Sequence, residues 1–145
     1  MLRSKIKQKI VLISIALLAF YSCSQNPANS KTETIIKDIS PSEAYQLIQK
    51  NADNDDFVII DVRTPAEYNE GHIKKAININ FYNNDFRASL EELNKSKTYL
   101  IYCKMGGRSG NALAIMEELK FKRVYNLSSG LSGWKSEGYK TIGAN

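Results

Sequence analysis

The sequence predicts an α/β domain built on a mostly parallel sheet of about five strands, with helices on both faces. Three observations point there. Short apolar runs at 57–60 and 98–102 are continuous rather than alternating, as strands buried on both faces should be, and 124–127 reads as a further strand. Segments between such runs place apolar residues three and four apart, the spacing of a helix with one buried face. Strands and helices alternate along the chain, and parallel neighbours need crossovers of this kind. With 145 residues, 43% apolar and 24% charged, the composition is that of one ordinary globular domain, not of a disordered or disulfide-dense chain.

The first stretch stands outside that domain. Residues 1–9 carry Arg3, Lys5, Lys7 and Lys9, and 10–21 is an apolar run too short to cross a bilayer comfortably as a helix. Together they read as a secretory signal, 1–22. Ser22-Cys23-Ser24 then resembles the processing site of bacterial lipoproteins. That resemblance implies that Cys23 becomes an acylated first residue, exported and anchored to a membrane facing the periplasm. Bulky Phe20 and Tyr21 in front of it leave plain secretion or a retained N-terminal helix as the alternatives. Residues 23–33 lack apolar periodicity and read as a tether, which leaves 34–145 for the folded domain. The formal charge of +5 belongs mostly to the signal: without its four cations, 20 Lys+Arg against 15 Asp+Glu falls to about +1. No basic stripe remains to attract nucleic acid.

Within the domain, 34–39 is a first strand. Ser40-Pro41-Ser42-Glu43 starts a helix, with Ser40 able to cap, Pro41 at the first helical position and Glu43 completing a capping box. Ala44, Leu47 and Ile48 give that helix its apolar face, and 51–56 is a polar turn. The strand 57–60 ends at Asp61. Thr64-Pro65-Ala66-Glu67 repeats the capping box and starts a short second helix. Gly71-His72-Ile73 turns into a strand at 76–79. The aromatic-rich connection 81–86 either covers the core beside a helix at 86–93, with Leu90 and Leu93 inward, or rims a site. Residues 98–102 are a strand, 111–119 a helix, 124–127 a last strand and 130–137 a closing helix in which Trp134 packs rather than binds.

Between the strand 98–102 and the next helix lies Cys103-Lys104-Met105-Gly106-Gly107-Arg108-Ser109. A thiol at a strand end, facing a helix N-terminus, has its reactive thiolate stabilised by partial positive charge. Gly106 and Gly107 permit backbone conformations closed to other residues, so the amides of 104–109 can turn toward the Cys103 sulfur. Lys104 and Arg108 favour the thiolate too and can hold an anionic substrate, Arg108 by a two-pronged hydrogen bond. The loop therefore outweighs the alternative of an inert buried cysteine. The chain has 2 Cys, and an acylated Cys23 leaves Cys103 without a disulfide partner. Asp61 and Arg63 sit at the carboxyl end of their own strand, the edge where open α/β sheets bind ligands. They either brace the Cys103 loop or form a solvated ion pair, and bracing is favoured. His72 reads as a backbone partner in its turn rather than a general base. As the only histidine, in a chain without paired cysteines, it offers no metal site, and no cofactor is implied.

Cys103-x-x-Gly106-x-Arg108-Ser109 resembles the active-site loop of the single-domain rhodanese (thiosulfate sulfurtransferase) family. Asp61-Val62-Arg63, Glu67-Tyr68, Gly71-His72-Ile73 and Ala76-Ile77-Asn78-Ile79 are similar to the segment that precedes its catalytic strand. Gly130-Leu131-Ser132-Gly133-Trp134 and Gly138-Tyr139 resemble its closing motif. The resemblance implies a catalytic Cys103, with Lys104, Met105, Gly106, Gly107, Arg108 and Ser109 around the substrate. It further implies transfer of sulfane sulfur from a small anion such as thiosulfate to a thiol or cyanide, a periplasmic thiol protein being one possible acceptor. A cysteine phosphatase or arsenate reductase of related fold is the enzymatic rival, but its Cys-x5-Arg spacing puts the arginine one residue beyond Arg108. A membrane-tethered binding or redox-sensing module is the non-enzymatic one.

Overall fold

The computed structural model describes residues 33–143, so the expected signal, Cys23 and the tether up to residue 32 lie outside the described residues. Ten elements alternate along it: β1 (Ile35–Ile39), α1 (Pro41–Lys50), β2 (Phe57–Asp61), α2 (Pro65–Glu70), β3 (Ile77–Asn78), α3 (Phe86–Glu91), β4 (Thr98–Tyr102), α4 (Gly107–Glu118), β5 (Arg123–Leu127) and α5 (Gly130–Ser136). The five strands form one sheet in the order β1-β5-β4-β2-β3, with every pairing parallel. Among the described residues no helix is long and apolar enough to cross a membrane.

Both capping boxes form. Ser40 Oγ accepts from the Glu43 amide while the Ser40 amide donates to Glu43 Oε2 at 2.8 Å, and Thr64 with Glu67 repeats the exchange at the head of α2. Each box satisfies two of the amide donors that a helix start leaves over, which explains why even the six-residue α2 holds together.

Side chains alternate along β4. Tyr99 and Ile101, followed by Cys103, belong to one core with Phe86 and Leu90 of α3 and Ala112 and Met116 of α4. Leu100 and Tyr102 belong to the other, with Ala44 of α1 and Leu131 and Trp134 of α5. Tyr99 to Tyr102 are at most 1% exposed, as the continuous apolar run requires of a central strand covered on both faces. Trp134 packs, as read, with its indole N–H donating to the Lys140 carbonyl at 3.0 Å.

Three boundaries differ from the sequence reading. β3 is two residues rather than four; past it, the Ile79 and Phe81 amides still donate to the Asp61 and Val62 carbonyls at 3.0 Å, so the pairing continues as single bonds. α3 ends at Glu91, with Leu93 still packed on the core. The helix expected from 111 begins at Gly107, because the Gly110 amide bonds the Gly106 carbonyl at 2.8 Å. Arg108 and Ser109 are thereby first-turn helical residues, and the loop proper shrinks to 103–106.

Candidate active site

Cys103 follows the last residue of β4, the middle strand of the sheet, and faces the N-terminus of α4. The Gly106 amide donates to its sulfur at 3.1 Å. Ser109 Oγ lies 3.5 Å from the sulfur and 3.2 Å from the Gly106 carbonyl, two acceptors competing for one hydroxyl proton. The residue is 2% exposed. Such burial works against ionisation, but the Ser109 hydroxyl and the amides of Ser109, Met105 and Gly106 outweigh it, and the thiol pKa falls below its ordinary value. Alkylation by iodoacetamide is therefore expected to rise with pH around a midpoint below that of the urea-unfolded chain. Between those two midpoints the unfolded state binds more protons, so stability also rises with pH there. A folded-state midpoint at or above the unfolded one would contradict this geometry.

The two glycines of the loop are not equivalent. Gly106 has φ 97°, and a Cβ there would lie 1.8 Å from the Ser128 carbonyl oxygen, so both conformation and space demand glycine. Gly107 has open space around its missing side chain and no left-handed φ, contrary to the expectation that both glycines shape the loop. What the sequence reading missed is Gly130. At φ 59° it lets the head of α5 press against the Lys104 peptide, where a Cβ would meet the carbonyl at 2.5 Å. The Leu131 amide donates to the Cys103 carbonyl at 2.8 Å and the Ser132 amide to the Lys104 carbonyl at 3.0 Å. With those carbonyls held toward α5, the amides that follow are free to turn toward the sulfur.

Lys104 and Met105 are exposed on the loop, Met105 at 71%. Arg108 is not a free fork. Its two terminal nitrogens donate to Glu67 at 2.7 and 2.8 Å, and its guanidinium lies 5.5 Å from the centre of the Tyr82 ring. Arg108, chiefly, holds the Glu67 carboxyl down at about 2 against the cost of burial, with Thr64 adding to the effect, so the pair stays ionised across the working pH range. Glu67 thus serves both the α2 capping box and Arg108, and the box alone had accounted for it in the sequence. The aromatic connection divides between its two readings: Phe81 packs edge-on against Phe86 in the core, and Tyr82, 66% exposed, stands on the rim beside Arg108.

Asp61 and Arg63 form a buried ion pair, at 0% and 6% side-chain exposure, which removes the solvated alternative. Arg63 Nη2 donates to Asp61 Oδ2 at 2.7 Å and to the Gly71 carbonyl at 2.6 Å, and the Arg63 amide donates to Asp61 Oδ1 at 2.9 Å. The segment braced is the turn at Gly71 rather than 103–109, since neither side chain hydrogen-bonds that loop. The link to Cys103 runs through Tyr102, whose hydroxyl accepts from the Ile73 amide at 3.0 Å and whose ring lies 5.9 Å from the guanidinium. His72 stacks on Tyr68 at 3.7 Å with Nδ1 2.9 Å from the Tyr68 carbonyl, and its backbone pairs with Ile142, a turn role consistent with the sequence reading.

A five-stranded parallel sheet whose middle strand runs into a cysteine contacted by the Gly106 amide defines an α/β domain with a candidate reactive thiol at the carboxyl edge of the sheet. The family model of the rhodanese-like domain matches residues 31–137, and the chain belongs to that family. It is 33% identical over 104 residues to a sulfurtransferase of Allochromatium vinosum, covering 72% of this chain and 95% of that one. It is 35% identical over 109 residues to the thiosulfate sulfurtransferase GlpE of Coxiella burnetii, covering 75% and 95%. Among solved structures, a rhodanese-related protein from Thermoplasma volcanium superposes with a TM-score of 0.62 at 27% identity, over 73% of this chain and 97% of that one. A rhodanese-like domain protein from Staphylococcus aureus gives 0.60 at 28%, over 75% and 99%. The relatives support a sulfurtransferase role in general terms.

Proposed function

We propose that the protein transfers sulfane sulfur from thiosulfate or a related donor to a thiol or cyanide, through a persulfide on Cys103. The single observation behind this is the Cys103 sulfur itself, approached by the Gly106 amide and the Ser109 hydroxyl and favoured as an anion. The thiolate attacks the outer sulfur of thiosulfate; a new S–S bond forms, the old one breaks, and sulfite leaves with the electron pair. The terminal sulfur then sits about 2 Å beyond Sγ, where it carries negative charge toward the amides of the loop. An acceptor thiolate or cyanide attacks that sulfur, and Cys103 departs as the thiolate it began as. Mass spectrometry of the domain after thiosulfate tests the scheme: one added sulfur atom on Cys103, discharged by cyanide, is the expected result. No adduct at millimolar thiosulfate, with the domain folded, sinks it.

The four-residue spacing from Cys103 to Arg108 leaves a shorter loop than the phosphatase alternative needs, and the Glu67–Arg108 pair offsets the cation whichever anion arrives. The pair also sets how strongly the site attracts a dianion. Glu67→Gln keeps one acceptor oxygen for the α2 capping box and removes the charge together with one of the two acceptors for Arg108. The KM for thiosulfate is expected to fall about fivefold at low ionic strength, as roughly 1 kcal/mol of Coulomb attraction is released, with kcat within about twofold. The difference should vanish in molar salt; an unchanged or raised KM speaks against this reading. Lipidation of Cys23 and export to the periplasmic side of a membrane belong to the same proposal, supported by the basic and apolar pattern of 1–21. Replacing Cys23 by Ser is expected to release the chain from the membrane fraction.

A further inference from the structure

On the face of the sheet opposite Cys103, a cavity of about 550 Å³ opens between α1, the turn before β3 and the end of α5. The volume is in the range of small-molecule sites, and the chemistry of the walls is specific. One wall is aromatic. Tyr45 and Tyr139 stack at 4.7 Å and 12°, and Tyr139 lies 4.7 Å from Trp134, whose orientation is fixed by its bond to the Lys140 carbonyl. Tyr45 remains 40% exposed although it lies against two aromatic neighbours. The rim also carries cations. Lys74, Lys75 and Lys140 line it against one carboxylate, Asp53. Lys75 holds a left-handed backbone, φ 68°, unusual for a residue with a side chain, and its ammonium reaches the Ala52 carbonyl at 2.6 Å. Among the described residues neither Lys74 nor Lys140 has an ion-pair partner.

We propose that this cavity is a binding site for a small planar aromatic anion, its ring laid against Tyr45 and Tyr139 beside the buried Trp134 and its acidic group held by Lys74 and Lys140. The charge of the rim selects an anion, and flat π-faces select a planar body that shares apolar contact with them. None of the residues lining the cavity belongs to the Cys103 loop, so the inference stands apart from sulfur transfer.

Trp134 is the chain's 1 Trp and lines the cavity, so its emission reports occupancy directly. The probe is anilinonaphthalene sulfonate, with neutral phenylnaphthylamine as its charge control. The expected result is saturable, one-to-one quenching of Trp134 by the sulfonate, at least about tenfold weaker for the neutral compound and for the Lys74→Ala, Lys140→Ala double variant. Ala52→Phe, at an exposed position on the rim, should block the site. Cys103→Ser should bind as the parent does, which separates this test from that of the sulfurtransferase reading. Equal affinity for the neutral compound, lysine variants that bind as before, or emission that the sulfonate leaves unchanged each overturn the proposal. So does capture of an acidic aromatic peptide by a cavity that ignores the probe.

Discussion

Replacing Cys103 by serine is expected to lower sulfur transfer by at least about a thousandfold while leaving the fold in place. The loss is large because no neighbouring group can take over as nucleophile. Ser109, the nearest hydroxyl, has no base beside it, and its proton is engaged by the Gly106 carbonyl and the Cys103 sulfur. The substitution removes a sulfur whose pKa is lowered from its ordinary value and installs an alcohol that stays protonated at any working pH. The fold survives because the new hydroxyl is similar in size, and the Gly106 amide that reached the sulfur at 3.1 Å can reach it too. Thiocyanate production from thiosulfate and cyanide measures the loss, and thermal melting checks that the fold remains. A serine variant that keeps more than about one per cent of the parent rate would move the chemistry elsewhere.

The largest loss of stability is expected from Arg63→Met, at about 3–5 kcal/mol, because it strands the Asp61 carboxylate at 0% exposure. The figure follows from asymmetry: a buried pair with good geometry offsets the cost of desolvating both partners, whereas one partner alone carries that cost uncompensated. The arginine also holds the Gly71 carbonyl at 2.6 Å, so the turn before His72 loosens with it. Denaturant unfolding reads the change. The double variant Asp61→Leu, Arg63→Met should recover most of it, since the stranded charge goes while the Gly71 contact stays lost. A single-variant loss under about 1 kcal/mol, or a double variant no better than the single, would mean that the pair is not the brace described. Sulfur transfer per folded molecule should fall less than tenfold, because the brace reaches Cys103 only through Tyr102.

The parts of the site that were legible in the sequence are those encoded locally. Cys103 followed a continuous apolar strand and preceded glycines and a helical pattern, so its place at a strand end could be read from a dozen residues. Both capping boxes are likewise complete within four. The misread parts depend on distant or backbone partners. Glu67 and Arg108 are 41 positions apart, and Glu67 already had an explanation in its own helix. Arg63 spends its third contact on a peptide carbonyl, which every residue has and which therefore leaves no trace in the sequence. Gly106 and Gly107 look interchangeable as letters, and only the Ser128 carbonyl lying against one of them tells them apart. The early start of α4 was hidden for a related reason. Gly107 and Gly110 depress helix propensity, but Ala112 and Met116, both fully buried, hold the helix by tertiary packing.

The grip of α5 on the carbonyls of Cys103 and Lys104 gives folding a definite order. The cysteine lies well ahead, in the chain, of the segment that completes its surroundings, so its thiol keeps ordinary acidity until Gly130 to Ser132 have docked. Truncation ahead of that point should leave all five strands encoded yet return the cysteine to its ordinary acidity, which makes the reactive state a late product of folding.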